Sequence, residues 1–346
     1  MKFIDAASVG ESLISSYNIY IDTGMKRSTE TKEPALVMKH INSGEHYYAV
    51  RMKSEVIGTN TAADIRMRWR QLIKRPVFEY FRWPVDIMVK DNVYYLIYDI
   101  IPTVNYKSLA ELCQDKDYLG LDKKKIRNIT INFINAFLSI YKKQYLFFGL
   151  DDDYIFIDQD NDSVLINMYT SIYIKRNAIV FFEMQEYFSE VIDPYSYENR
   201  SIDPDDVNKD KYTYDTVSEH YAFASLLFRL MIGLYPFEGP NMAAYTFDPL
   251  TENNRNWIYH YLQTAIFIFD EENKNNSIAN LNRFEDNVNR WNMLTERLQT
   301  MFRRTFSQRN VYRTEAGFSG VPLYTVSDWK DAVEELFLKE FNEVVK

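Results

Sequence analysis

Cysteine occurs once among the 346 residues, as Cys113. A single thiol forms no internal disulfide and builds no cysteine-based zinc site. Glycine and proline number 10 each, too few for long flexible linkers or low-complexity arrays. No apolar run reaches the roughly 18 residues of a membrane span. The opening MKFIDAASVGESL holds no apolar core of signal-peptide length, because Asp5 and Glu11 interrupt it. Basic residues are outnumbered too: 40 Lys and Arg against 49 Asp and Glu leave a formal charge of −9. That is the wrong sign for a general nucleic-acid binder. The four histidines, His40, His46, His220 and His260, show no metal-ligand spacing. A cytoplasmic protein without nucleic acid, membrane or metal is the expectation.

What is present is ordinary globular material, 46% hydrophobic and 26% charged, long enough for two domains or lobes of about 150 residues. Aromatics reach 16%, enough to fill a large core. The first hundred residues read as strands around one helix. Tyr17–Asp22 alternates, and a polar stretch follows from Thr23 to Lys32. Ala35–Ile41 and His46–Met52, joined by a turn containing Gly44, carry a hairpin signal. Thr61–Ile73 sets Ile65, Trp69, Leu72 and Ile73 on one helical stripe that Pro76 ends. Val85–Val89 and Val93–Ile100 form a second hairpin. After Pro102 the pattern turns helical: Ser108–Cys113, Lys123–Tyr141, Glu219–Ile232, Asn254–Phe269, Asn289–Phe306 and Ser327–Phe341. One small hairpin, Tyr154–Asp158 with Ser163–Met168, interrupts it. This is an α+β pattern in two lobes, residues 1–102 and 103–346.

The order of these elements resembles the eukaryotic-type protein kinase fold: a small β-rich N-lobe and a larger α-helical C-lobe. VMKHINSGEHYYAVRMKS is similar to the second and third N-lobe strands. VYYLIYDIIP resembles the strand entering the interlobe hinge, with SLAELC as the helix behind it. YLFFGLDDDYIFID stands where the catalytic loop belongs, and DSVLINMYTS where the metal-binding strand belongs. EHYAFASLLFRLMIGLYPFEGP resembles the long C-lobe helix and its G-x-x-P-F ending. Three segments, FRWPVDIMV, EHYAFASLLF and FIFDEENKNN, narrow the resemblance to bacterial kinases encoded beside tellurite-resistance and von Willebrand-type genes.

The resemblance also implies which positions should do chemistry, and most carry the wrong residue. Phosphoryl transfer needs a Gly-rich loop, a strand Lys paired with a helix Glu, a catalytic Asp with an Asn, and a metal-binding Asp. The phosphate loop would lie in TGMKRSTETKEP, where Gly24 is the one glycine and Lys26, Arg27 and Lys32 are the cations. Matching YAVR to the V-A-I-K pattern puts Arg51 at the Lys position, with Lys53 on the same strand face. The helix offers Asp64 instead of Glu, one turn early, and is otherwise basic through Arg66, Arg68 and Arg70. Gly149 replaces the catalytic Asp, Phe147-Phe148 replace His-Arg, and Tyr154 replaces the metal-binding Asn. Asn167-Met168-Tyr169 stands for Asp-Phe-Gly.

Losing a general base, usually worth about 10²–10⁴-fold, together with the metal carboxylate leaves little catalysis. The implied protein is a pseudokinase without cofactor or metal. It acts as a regulatory scaffold in a bacterial signalling system and binds a kinase, phosphatase or von Willebrand-type protein. Tyr98 takes the gatekeeper position, and Asp99 to Ile101 run beside any adenine. A nucleotide, should one bind, meets Arg51, Lys53, Tyr98, Asp99, Ile101 and Asn167. Phe147, Phe148, Tyr154 and Tyr169 are bulky enough to fill the rest of that cleft. The alternative is an unorthodox phosphoryl- or nucleotidyl-transferase recruiting Lys53, Asp151–Asp153 and Asn167. The acidic stretch Asp203–Asp210 reads as a docking loop or a charged surface loop. Asp158, Asp160 and Asp162 read as a hairpin turn, because the downstream Gly and Glu of a calcium loop are absent.

Overall fold

The computed structural model of the chain describes residues 12–14, 19–28, 34–52, 69–74, 76, 79–90, 93–100, 105–115, 118, 123–148, 150–167, 171–173, 180–183, 191, 211–241, 266–307 and 323–344. Its N-terminal region is a sheet. Strands β1 (Ser12–Ile14), β2 (Ile19–Ser28), β3 (Pro34–His40) and β4 (His46–Arg51) are followed by a helix α1 (residues 69–74). Next come β5 (Phe81–Arg82), β6 (Asp86–Lys90) and β7 (Val93–Asp99). The sheet order is β1-β2-β3-β4-β7-β6, with every pair antiparallel. The two hairpins expected from alternation are there. The β3–β4 turn closes where the Gly44 amide donates to the His40 carbonyl (2.9 Å) and Gly44 takes φ +73°, a conformation glycine adopts without a Cβ penalty.

One expectation about this sheet is corrected. The polar stretch after Asp22 is not a loop as far as Ser28: β2 runs on through it, with Lys26 opposite Leu36 and Ser28 opposite Pro34. Gly24 (φ +72°) sits in an irregularity between Asp22 and Lys26, so the one glycine of the expected phosphate loop serves a strand bulge.

The C-terminal region is mainly helical. After β8 (Tyr106–Ser108) come α2 (Leu109–Gln114) and α3 (Lys123–Lys142). Short strands β9 (Leu146–Phe148), β10 (Ile155–Asp158), β11 (Val164–Asn167), β12 (Ser171–Tyr173), β13 (Val180–Glu183) and β14 (Lys211–Tyr214) follow. Helices α4 (Thr216–Ile232), α5 (Glu285–Met293), α6 (Glu296–Phe306) and α7 (Val326–Val344) complete the described chain. Helix α4 is its axis, every residue from Val217 to Ile232 being buried. Asp215 caps its start, accepting from the Val217 and Ser218 amides, and Gly233 (φ +88°) ends it.

Two helix expectations are corrected. Asn289–Phe306 is two helices, because Thr295 leaves helical geometry and caps α6 by accepting from the Leu298 amide. Residues 266–269, the end of the helix expected over Asn254–Phe269, are not helical, and the Ile268 amide donates to Pro236. The rest of that expected helix lies outside the described residues.

A second sheet, in the order β5-β11-β10-β8, joins the two regions. In it β5, from the N-terminal hundred residues, runs parallel to β11, with Phe81 opposite Ile166 and Arg82 opposite Asn167. One continuous core spans both regions, from Trp69 and Leu72 through Phe81 and Phe147 to Phe302 and Trp329. A smaller cluster, Tyr20, Met38, Ala49, Met88 and Ile97, covers the other face of the first sheet.

Candidate functional site

The interior between the two sheets is where a nucleotide would sit in the resembled fold, and β4 forms its upper wall. Alternation along β4 puts Tyr48, Val50 and Met52 on the face that packs with α1 and the main core. Tyr47 and Ala49 belong to the opposite cluster, and exposed Arg51 shares their face, paired across the strands with Tyr95. This corrects the placement of Arg51 at the strand-Lys position. Its letters match, but its pleat points away from α1. The inward positions of β4 carry no charge to meet a phosphate. Lys53, Ile101 and Gly149 lie outside the described residues, as do Lys32, Asp64, Arg66, Arg68, Met168, Tyr169 and the Asp203–Asp210 stretch.

The structure brings Tyr98 to this interior, whereas the Asp99 side chain is exposed and its residue pairs with Tyr47 of the opposite face. Tyr98 is fully buried opposite Tyr48. The Asp99 backbone is engaged by a residue that the sequence reading passed over. Arg82, 3% exposed, donates from Nη2 to the Asp99 carbonyl and holds its guanidinium 5.8 Å from the centre of the Tyr48 ring. The backbone of Arg82 is in register with Asn167 on β11. Arg82 therefore touches the hinge side with its side chain and the metal-loop side with its main chain. Partial burial raises the Asp99 carboxyl above its ordinary range, with the Arg82 charge opposing that rise.

The neighbours of Arg82 lock the same segment. Phe81 meets Phe147 edge-on at 5.9 Å. Trp83 stacks on Tyr145 at 5.8 Å and donates its indole N–H to the Leu72 carbonyl (2.9 Å), satisfying a C-terminal carbonyl of α1. The visible signal was the FRWP run itself, an Arg between three bulky residues with no loop composition around it.

Around the expected catalytic loop the polar groups are committed to structure. The Phe147 amide donates to Glu219 Oε1 (2.6 Å), and its carbonyl accepts from Tyr214 (3.0 Å). Glu219, wholly buried at the start of α4, thereby fixes the strand that precedes the loop. Asp151 caps a short 3-10 helix, Asp152–Tyr154, accepting from the Asp153 amide (3.4 Å). Asp152 is buried and paired with Arg229 Nε at 3.1 Å. Arg229 also reaches Glu238 (2.8 Å) and lies 4.5 Å from the centre of the Tyr235 ring. Of the three clustered carboxylates, Asp152 is thus held by a buried cation, Asp151 caps a turn, and Asp153 is exposed. Tyr154 is half-buried, and its amide donates to the Asp151 carbonyl.

The remaining candidates are engaged in local contacts. His220 holds the Thr216 carbonyl through Nδ1 (2.7 Å) and faces the Tyr141 hydroxyl through Nε2 (3.1 Å). In the β10–β11 turn, Asp158 accepts from the Asp160 amide (2.9 Å) and from Asn161 (2.8 Å). Asp162 is tied to α3 by Lys125 and Asn128. Cys113 lies against the Arg229 carbonyl, and burial pushes its thiol up to about 12, far from a reactive thiolate. No group of three or more metal-ligating side chains occurs among the described residues, and none of their helices is long and apolar enough to cross a membrane.

No protein-family model matches the sequence, and no curated protein is similar to it. Among solved structures the chain is similar to the autoinhibited serine kinase domain of the giant muscle protein titin. The TM-score is 0.51 at 12% identity, over 84% of this chain and 75% of that one. At that identity the likeness establishes the fold, a protein kinase-like one, with a β-rich N-terminal region and a helical C-terminal region.

Proposed function

We propose that this chain is a pseudokinase: a kinase-fold protein without phosphoryl-transfer activity that acts by binding and regulating another protein. Its partner is a kinase, a phosphatase or a von Willebrand-type protein of a bacterial signalling system, as the sequence resemblance implies. The observation that carries this reading is Arg82. A buried guanidinium on the Asp99 carbonyl, anchored in register with Asn167, takes the hinge acceptor that an incoming adenine would need and puts a cation there instead. Removing Arg82 from its place would take the charged donor from a half-buried carbonyl, at about 1–3 kcal/mol. The apolar inward face of β4 and the Asp152–Arg229 pair support the same reading, since neither leaves a charge for phosphate or a free base at that carboxylate.

The test is a thermal-melt titration of the full chain with ATP, with and without Mg²⁺ or Mn²⁺. A site filled at 100 times its Kd would add about 2.7 kcal/mol, a rise of several degrees in Tm. No rise is expected. Incubation with ATP labelled in the α- or γ-phosphate is expected to leave the protein unlabelled. A metal-dependent rise, or label lost on Asn167→Ala, would replace the scaffold by a transferase.

A further inference from the structure

Four helices of the C-terminal region meet around a pocket of about 50 Å³ that shares no residue with the Arg82 interior. Ile126 of α3, Met231 of α4, Met293 of α5 and Phe337 of α7 supply apolar wall, and the two charged lining residues, Lys123 and Arg290, are both cations. Arg290 is buried and donates to the Tyr118 and Met231 carbonyls, so it belongs to the floor. Lys123 belongs to the rim. It opens a 20-residue helix whose first turn holds no acidic residue and whose sequence there is Lys123-Lys124-Lys125-Ile126-Arg127. Cations at the positive end of a helix dipole repel it instead of complementing it. Lys125 is matched by Asp162 at 3.6 Å. Arg127 is exposed, and its guanidinium stands 5.7 Å from the centre of the Phe337 ring on the pocket wall. This concentration of positive charge occurs in a chain of net charge −9.

The apolar side is equally uneven. Only four large hydrophobic side chains are exposed among the described residues. One of them, Met293, 46% exposed, lines this pocket. Small-molecule sites usually run to about 300–1,000 Å³, so a space this small takes the end of one side chain.

We propose that this pocket docks an acidic segment of a partner protein. One aliphatic or aromatic side chain enters beside Met293 and Phe337, and flanking carboxylates meet Lys123 and Arg127. The site goes beyond the reading of the interlobe interior and is independent of it, so a peptide titration and a nucleotide titration can each fail while the other succeeds.

The experiment is isothermal titration calorimetry of the full chain with the capped hexapeptide Asp-Asp-Leu-Phe-Asp-Asp. Saturable micromolar binding is expected. It should weaken about tenfold in Lys123→Glu and in Met293→Glu, both changes at exposed positions, with Tm checked for each. Lys39→Glu, an exposed charge reversal on the N-terminal sheet, should leave it unchanged. No saturation below millimolar peptide would overturn the proposal. So would equal binding of Asp-Asp-Ser-Ser-Asp-Asp, or indifference to either pocket variant. Saturation by decanoate without any by the peptide would overturn it in favour of an acyl ligand.

Discussion

A one-residue difference in pleat separates a kinase-like lysine from a surface arginine here. YAVR matches V-A-I-K letter for letter in type, yet strand side chains alternate, and a register error of one moves the whole set to the other face. The match was legible and its direction was not, because both faces of β4 are apolar: Tyr48 and Val50 on one, Ala49 and Tyr47 on the other. Arg82 was hidden for a different reason. Its role depends on a carbonyl 17 residues away, which no local pattern encodes.

Cys113 gives the residue-scale prediction. Its thiol holds its proton up to about 12 in the folded chain, against an ordinary 9.0. Between these values the native state therefore binds more protons than the unfolded one, and stability falls as pH rises. Below pH 9 the group contributes nothing to the pH dependence. From about pH 9 to 10.5 the native protein should lose about 2 kcal/mol more than Cys113→Ala in urea titrations. Parallel slopes for the two proteins would show that the thiol ionises in place.

At the scale of elements, periodicity carried the long helices and both N-terminal hairpins, since their apolar stripes are unbroken. It failed where a stripe continues across a break. Trp291, Leu294, Leu298, Met301 and Phe302 all face the core, so Asn289–Phe306 looks continuous although Thr295 starts a new helix. The short strands β8, β9 and β12 escaped as well, being three residues each and too brief to alternate. The segment after α4 is set by one close approach. A Cβ on Gly239 would collide with both the main-chain and side-chain oxygens of Asn276. Asn276 is buried and cannot yield, because its amide donates to Phe237 (3.0 Å) and Ile266 (2.7 Å) while its oxygen accepts from the Asn241 amide (2.8 Å). Gly239→Ala should cost about 3 kcal/mol, read as a fall in Tm of several degrees. An unchanged melt would mean that the loop relaxes freely.

For the whole molecule, the two-region plan was legible in the shift from alternating to helical pattern near Pro102, and the joint between the regions was not. That joint rests on β5, two residues long, paired with a strand more than 80 positions on. A core running from Trp69 to Trp329 without interruption predicts one cooperative unfolding transition. Tryptophan fluorescence should report it from both ends, through Trp69 and Trp83 and through Trp291 and Trp329. Far-UV circular dichroism, dominated by the C-terminal helices, should trace the same midpoint. A sheet that melts ahead of the helices would contradict the continuity of the core.

The pairing of Arg82 with Asn167 has one last consequence. An enzyme of this architecture must part its jaws to admit fuel and release waste. A rung of main-chain bonds across the throat, with a guanidinium wedged behind it, makes each parting a local melting event. On the pseudokinase reading proposed above, such a body would offer a neighbour a fixed contour, ready at any moment and indifferent to the energy charge of the cell.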